Sequence, residues 1–184
     1  MTRIMPVDFA AASGREKALL DAVKALLGAT PNMTTTMARS AVLEGWLGLN
    51  GALRKGSIGA ADGERIALAV AEANGCSYCL SAHTYLGSNV ARLDDEEIHR
   101  ARHFDSADPK SAAILAFARA VVATRGGVSD SDLATAREAG LRDAELGDIV
   151  GHVAVNVLTN YFNTAFDVDV DFPVVEPHEH ALAA

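Results

Sequence analysis

The 184-residue sequence is poor in aromatic residues (5%), holds one Trp, five Pro and only two Cys, and gathers no cluster of Lys and Arg. Each shortage excludes something. Two cysteines cannot supply the disulfide framework of a small secreted domain. With a formal net charge of -8 and no basic stretch, the chain lacks the positive face that a phosphate backbone requires, so nucleic acid is excluded as a partner. No segment shows period-two alternation closed by a turn, so no sheet is needed. The longest uncharged stretch, residues 149–166, carries His152, Asn156, Asn160 and Asn163, which are costly in lipid, and it reads as a buried helix rather than a membrane span. Residues 1–17 include Asp8 and no continuous apolar core, so no secretory signal is expected and cytoplasmic residence is the default.

What remains is the vocabulary of packed helices: 49% hydrophobic residues, leaning on Ala, Leu and Val, with many Glu and Arg. The length suits one domain over residues 1–184. We expect an all-α fold of about seven to nine helices, read from cap and stop residues. Ser13 to Glu16 opens a first helix to about Leu27, and a second runs from Met33 to about Leu49, with Asn50-Gly51 interrupting or ending it. A third spans Asp62 to Asn74 and stops at Asn-Gly, so the next begins almost at Cys76. Asp94 to Glu97 is a further capping box, Asp108-Pro109 opens a helix stopped by Gly126-Gly127, Ser129 opens a short one ended by Gly140, and Asp143 caps the last, to about Phe166. The tail reads as extended, lying over the domain or a neighbouring subunit. Its His178 and His180 read as solvated rather than metal-binding.

The chemistry concentrates in EANGCSYCLSAH, residues 72–83, which holds both cysteines. On a helix, Cys76, Cys79 and His83 fall within an arc of roughly 60°. Positions three apart have Cβ atoms roughly 5–6 Å apart, so a modest adjustment of the first turn permits a disulfide. The break at Asn74-Gly75 puts both sulfurs at a helix start, where unpaired N–H groups favour thiolate. His83 can move protons for a thiolate, and Glu64 in the preceding helix can orient it. Taken separately, these are a solvated acid, a structural His and two small buried thiols. Zinc is the sharper competitor, because Glu64, Cys76, Cys79 and His83 are acceptable ligands, although three donors on one short arc strain a tetrahedron. Haem attachment needs His directly after the second Cys, where Leu80 stands, and a thioredoxin-type motif needs a preceding strand.

In order and spacing, Glu64 with NGCSYCLSAH resembles the core motif of the alkyl hydroperoxidase D-like proteins of the carboxymuconolactone decarboxylase superfamily, and the likeness extends over roughly residues 40–173. It includes EEIHRARHF, the run from Ile114 to Val150, and NYFNTAFDVDVDFP. The resemblance implies an all-helical homo-oligomer, a trimer or hexamer, with thiol peroxidase chemistry. It makes Cys79 the peroxidatic thiolate, Cys76 the resolving thiol, and His83 with Glu64 the proton relay. It implies a hydroperoxide substrate, no bound cofactor or metal, and an external dithiol reductant such as a lipoylated protein or thioredoxin. Tyr78 departs from the pattern, standing where the best-known member has a further histidine. The Cys pair argues against lactone decarboxylation, since that branch typically lacks it.

On the last helix His152, Asn156, Asn160 and Asn163 form a stripe of roughly 80°. Uncharged amides point to a buried polar surface, either a pocket wall or, the stronger reading, a subunit contact. Tyr78, His152, Asn156 and Asn160 are the candidate substrate-pocket residues, and Trp46 is assigned to the core. A helical oligomer that senses redox state or binds zinc without catalysis is the alternative function.

Overall fold

Caps and stops become helices nearly one for one in a computed structural model, which describes residues 2–178. The elements are α1 (Gly14–Leu27), α2 (Asn32–Met37), α3 (Ala41–Leu53), α4 (Ala60–Ala73), α5 (Ser77–Leu86), a π-helical turn (Gly87–Ala91), α6 (Asp95–Arg102), α7 (Pro109–Thr124), α8 (Asp130–Glu138) and α9 (Asp143–Phe166). No strand occurs among the described residues. The fold is all-α, in one domain. Of the two tail histidines singled out in the sequence, His180 lies outside the described residues, whereas His178 lies within them.

Helix α4 is the hub, packing against α5, α6, α7 and α9. Every residue from Ile66 to Glu72 is buried, the pattern of a helix covered on all sides. One side places Leu68 and Ala71 in a cluster with Leu43, Trp46, Cys79 and Leu80. The other places Ile66, Ala69 and Val70 against Ile114, Leu115, Phe117 and Ile149. Each large aliphatic side chain buried there contributes about 1.5–3 kcal/mol. Leu68→Ala alone therefore costs about 2–5 kcal/mol through lost transfer energy and the cavity left behind.

Three readings of the sequence need correction. The helix expected from Met33 to about Leu49 is two, split at Ala38–Ser40, because Ser40 leaves the helical path and its hydroxyl caps α3 by accepting from Val42 N–H. Asn50 and Gly51 do not end α3. Buried Trp46 and Leu53, two turns apart on one face, carry the helix through them. Residue 143 is the first residue of α9 rather than its cap; Arg142 is the cap, and its N–H donates to Glu145 2.9 Å away. The π-helical turn after α5 has no local signal in the sequence; its Gly87 packs near Leu93 and Ile98. No helix among the described residues is long and apolar enough to cross a membrane.

Candidate active site

The site is built at the junction of α4 and α5. Asn74 ends α4, and Gly75 takes φ 64°, the left-handed conformation that costs a side-chain-bearing residue most. Its N–H donates to Glu72 O and that of Cys76 to Ala71 O, satisfying carbonyls at the end of α4. The chain then turns directly into α5 with Cys76 as its cap and Cys79 in its first turn.

The two cysteines share a helix end but not an environment. Both are buried and unbridged, with Sγ atoms 2.8 Å apart in direct hydrogen-bonding contact. Cys76 Sγ accepts the Cys79 N–H at 3.3 Å, the geometry of an N-cap. Its pKa is lowered by the bond to the Cys79 thiol, against the effect of burial; the Cys79 N–H, the Thr164 hydroxyl and the charge of His83 lower it further. Burial pushes the Cys79 thiol well up, and the bond and charge of Cys76 add to that, while Asn163 and Asn160 oppose it. Helix α5 thus favours thiolate at Cys76 rather than equally at both sulfurs, as the sequence alone suggested.

Glu64, on the second turn of α4, meets His83 across the reversal: Glu64 Oε2 lies 2.8 Å from Nδ1. This pair forms as expected. Burial works against charge on His83, but the Glu64 carboxylate, its hydrogen bond and Cys76 outweigh it, so the imidazole pKa is raised. With Nδ1 held by the carboxylate, Nε2 is the ring atom left to exchange a proton.

Cys79, Glu64 and His83 line a cavity of about 290 Å³ together with Trp46, Tyr78 and Phe172. Most of the remaining wall is aliphatic, including Met33, Leu53, Ile58 and Leu86. His152 and Asn156 also line it, whereas Asn160 does not; its Oδ1 instead accepts from Asn74 at 2.9 Å and steadies the α4–α5 break. His152 lies beside Gly63, where an added Cβ would stand 3.3 Å from the ring. Its Nε2 is buried without a partner in the fold, and burial lowers its pKa despite nearby Asp148 and Glu64. The amide stripe of α9 therefore faces inward, toward the thiols and cavity. Asn156, Asn160 and Asn163 are buried within the single chain rather than presented to a neighbouring subunit, with Asn160 accepting from Asn74 and Asn163 donating to the Cys79 sulfur.

Tyr78 joins three segments. Its hydroxyl accepts from Met33 N–H at 3.1 Å and donates to Asp171 at 2.8 Å, while its ring meets Phe172 edge-on at 5.9 Å. Burial, with Asp171 beside it, raises the phenol pKa, so it stays neutral. Two contributors escaped the sequence reading as site residues. Asn163, whose Nδ2 donates to Cys79 Sγ at 3.2 Å, already stood in the amide stripe. Phe172 comes from the extended tail, where no periodicity announces a face. The four donors weighed as a zinc set are not gathered as one: Glu64 and His83 bind each other, and the cysteines bind each other.

Residues 40–123 match the sequence profile of the Carboxymuconolactone decarboxylase family. Among curated proteins no sequence matches. An uncharacterized peroxidase-related protein with an alkylhydroperoxidase AhpD core, from Ralstonia eutropha JMP134, superposes with a TM-score of 0.81 at 23% identity, covering 92% of each chain. A peroxidase-related protein from Silicibacter sp. TM1040 gives 0.74 at 20% identity, over 92% of this chain and 94% of its own. The debrominase Bmp8, solved as a cysteine-to-alanine variant with 2,3,4-tribromopyrrole, gives 0.75 at 18% identity, over 93% of this chain and 92% of its own. The chain thus carries, over residues 40–123, a segment similar to the Carboxymuconolactone decarboxylase family, and its fold is that of the alkylhydroperoxidase AhpD core.

Proposed function

We propose that the protein is a cysteine-based peroxidase that reduces hydrogen peroxide or alkyl hydroperoxides through the Cys76/Cys79 pair. The observation that carries this reading is a cavity-facing sulfur, Cys79, in contact with a second thiol and beside a Glu64–His83 ion pair. Of the two thiols Cys76 is the more readily ionised, and an ionised pair shares one proton between the sulfurs. Passing the proton from Cys79 to Cys76 over the 2.8 Å contact moves the charge to the sulfur that faces the cavity. There the Asn163 amide stabilises it.

The Cys79 thiolate attacks one peroxide oxygen, the O–O bond breaks, and the leaving alkoxide or hydroxide takes a proton from His83. Cys79 becomes a sulfenic acid. Cys76 attacks that sulfur, forming the disulfide and releasing water, and an external dithiol restores both thiols. One hydroperoxide and two thiols thus give one alcohol, one water and one disulfide. His152 and Asn156 contact substrate, Tyr78 fixes the wall near it, and Asn160 positions the α4–α5 break. No bound cofactor enters the cycle. The reductant is a lipoylated protein or thioredoxin, and the chain works as a homo-oligomer in the cytoplasm. Peroxide consumption followed with dihydrolipoamide or thioredoxin as the electron source tests this reading: wild type turns over, and Cys79→Ser does not. Turnover that survives Cys79→Ser contradicts it.

A second reading rests on the likeness to Bmp8 and on the largely apolar cavity. A dithiol can also replace an aryl bromide by hydrogen, releasing bromide and leaving the same disulfide. Bromide release from 2,3,4-tribromopyrrole without peroxide consumption would select it.

A further inference from the structure

We propose that His99, His103 and His178 form a binding site for a divalent transition-metal ion, with Zn2+ as the reference case, that fastens the C-terminal segment to α6. One ring-nitrogen donor from each of the three lies within 4.8 Å of the others, and the set uses none of the thiol-site residues. His99 and His103 stand one turn apart at the end of α6, the i, i+4 spacing that aims two imidazoles at one point. His178 arrives from the tail and stacks on His103, with ring centroids 5.1 Å apart and planes 17° from parallel. The His99 ring sits edge-on to both, at 4.9 and 6.0 Å.

A tetrahedral ion with Zn–N near 2.0–2.1 Å sets its donors about 3.3 Å apart. The rings therefore close by about 1.5 Å on binding, which rotation of exposed side chains supplies. Three imidazoles select Zn2+, Co2+, Ni2+ or Cu2+ over the hard ions Mg2+ and Ca2+. Water completes the shell at this exposed position.

The third ligand is built rather than incidental. Glu72, buried at 6% exposure, accepts from the His178 N–H at 2.7 Å and lies 3.1 Å from His178 Nδ1. A carboxylate holding Nδ1 fixes the tautomer and leaves Nε2 as the ligating atom, the outer-shell arrangement common to metal-bound histidines. Arg102 holds the other Glu72 oxygen at 2.6 Å and the Glu176 carbonyl at 2.8 Å, so the ligand's backbone is tied down as well. The same tail bonds to α5 through Ser77 with Glu176, and through Ser81 with the Val175 N–H, and carries Phe172 into the cavity wall. A metal at the three histidines closes this strap over the helix that bears the thiols.

Calorimetric titration of the full chain with Zn2+, in a Cys76→Ser/Cys79→Ser background so that thiolates do not compete, tests the site. The expected result is one ion per chain, weakened at least tenfold by His99→Ala, His103→Ala or His178→Ala, and unchanged by His180→Ala. Should the double serine variant fold poorly, Co2+ added to the wild-type protein gives d–d absorption without thiolate charge transfer. No Zn2+ uptake, uptake that survives His99→Ala and His103→Ala, or a thiolate band with Co2+ overturns the proposal. None of these outcomes depends on peroxide turnover.

Discussion

Asn163 and Glu64 tune the two ends of the proposed chemistry from outside the cysteine motif. Asn163 reaches from α9 to donate to Cys79 Sγ, a bond that strengthens when the sulfur is charged. Asn163→Ala should slow reaction of Cys79 with peroxide about tenfold, which equals about 1.4 kcal/mol, and stopped-flow fluorescence with single-turnover peroxide reads it. Glu64 acts on His83 instead. Because the carboxylate raises the imidazole pKa against burial, removing its charge must lower it. Where His83 supplies a proton, activity declines as pH rises through that pKa. Glu64→Gln should therefore move the declining limb of the kcat/KM profile to lower pH, besides reducing its height about 10- to 100-fold. An unmoved limb would separate Glu64 from the proton relay and leave it a structural partner.

Helix ends decide where these side chains stand, and most of them are legible in the sequence. Asp94, Asp108 and Ser129 each cap the expected helix by accepting the N–H three residues on. Asn74-Gly75 ends α4, and that one signal accounts for the α4–α5 reversal, the cap at Cys76 and the meeting of Glu64 with His83. Gly75→Ala tests it: no atom lies within 4 Å of an added Cβ, so the cost is conformational only. Thermal denaturation should show a loss of about 1–2 kcal/mol from the left-handed φ. Other features needed the whole fold. The α9 stripe has helical period, but period cannot say which face is covered; the amides turn inward, where Asn160 accepts from Asn74 and Asn163 donates to Cys79. Val150, Leu158 and Tyr161 are left exposed on the other side. Close approach was equally hidden: at Gly151 an added Cβ would stand 2.8 Å from the Leu53 Cδ2 methyl, so a side chain there would have to push that leucine aside. The unequal thiols follow from the burial of Cys79 and from the bond between the two sulfurs, neither of which the spacing of Cys76 and Cys79 contains.

Across the whole molecule, stability and assembly carry their own tests. Glu145 is buried at 1% exposure, bound by Arg142 and Lys110, and those bonds hold its pKa down to about 2. A carboxyl depressed in the folded state stabilises above its unfolded pKa of about 4.3, and that contribution fades as pH falls toward the folded value. Glu145→Gln should cost about 1–3 kcal/mol at pH 7, and urea midpoints should show the penalty shrinking between about pH 4.3 and pH 2. The exposed apolar side of α9 leads us to expect self-association, so sedimentation should give a multiple of the 19.2 kDa chain mass. The central claim is that Cys79 takes the oxidising equivalent and Cys76 resolves it. Intact-mass measurement before and after one equivalent of hydroperoxide tests it most directly. Wild type should lose two hydrogens as the Cys76–Cys79 disulfide forms, and Cys76→Ser should gain one oxygen, held as sulfenic acid on Cys79. A wild-type mass left unchanged while peroxide disappears, or oxidation that persists in Cys79→Ser, would contradict the account.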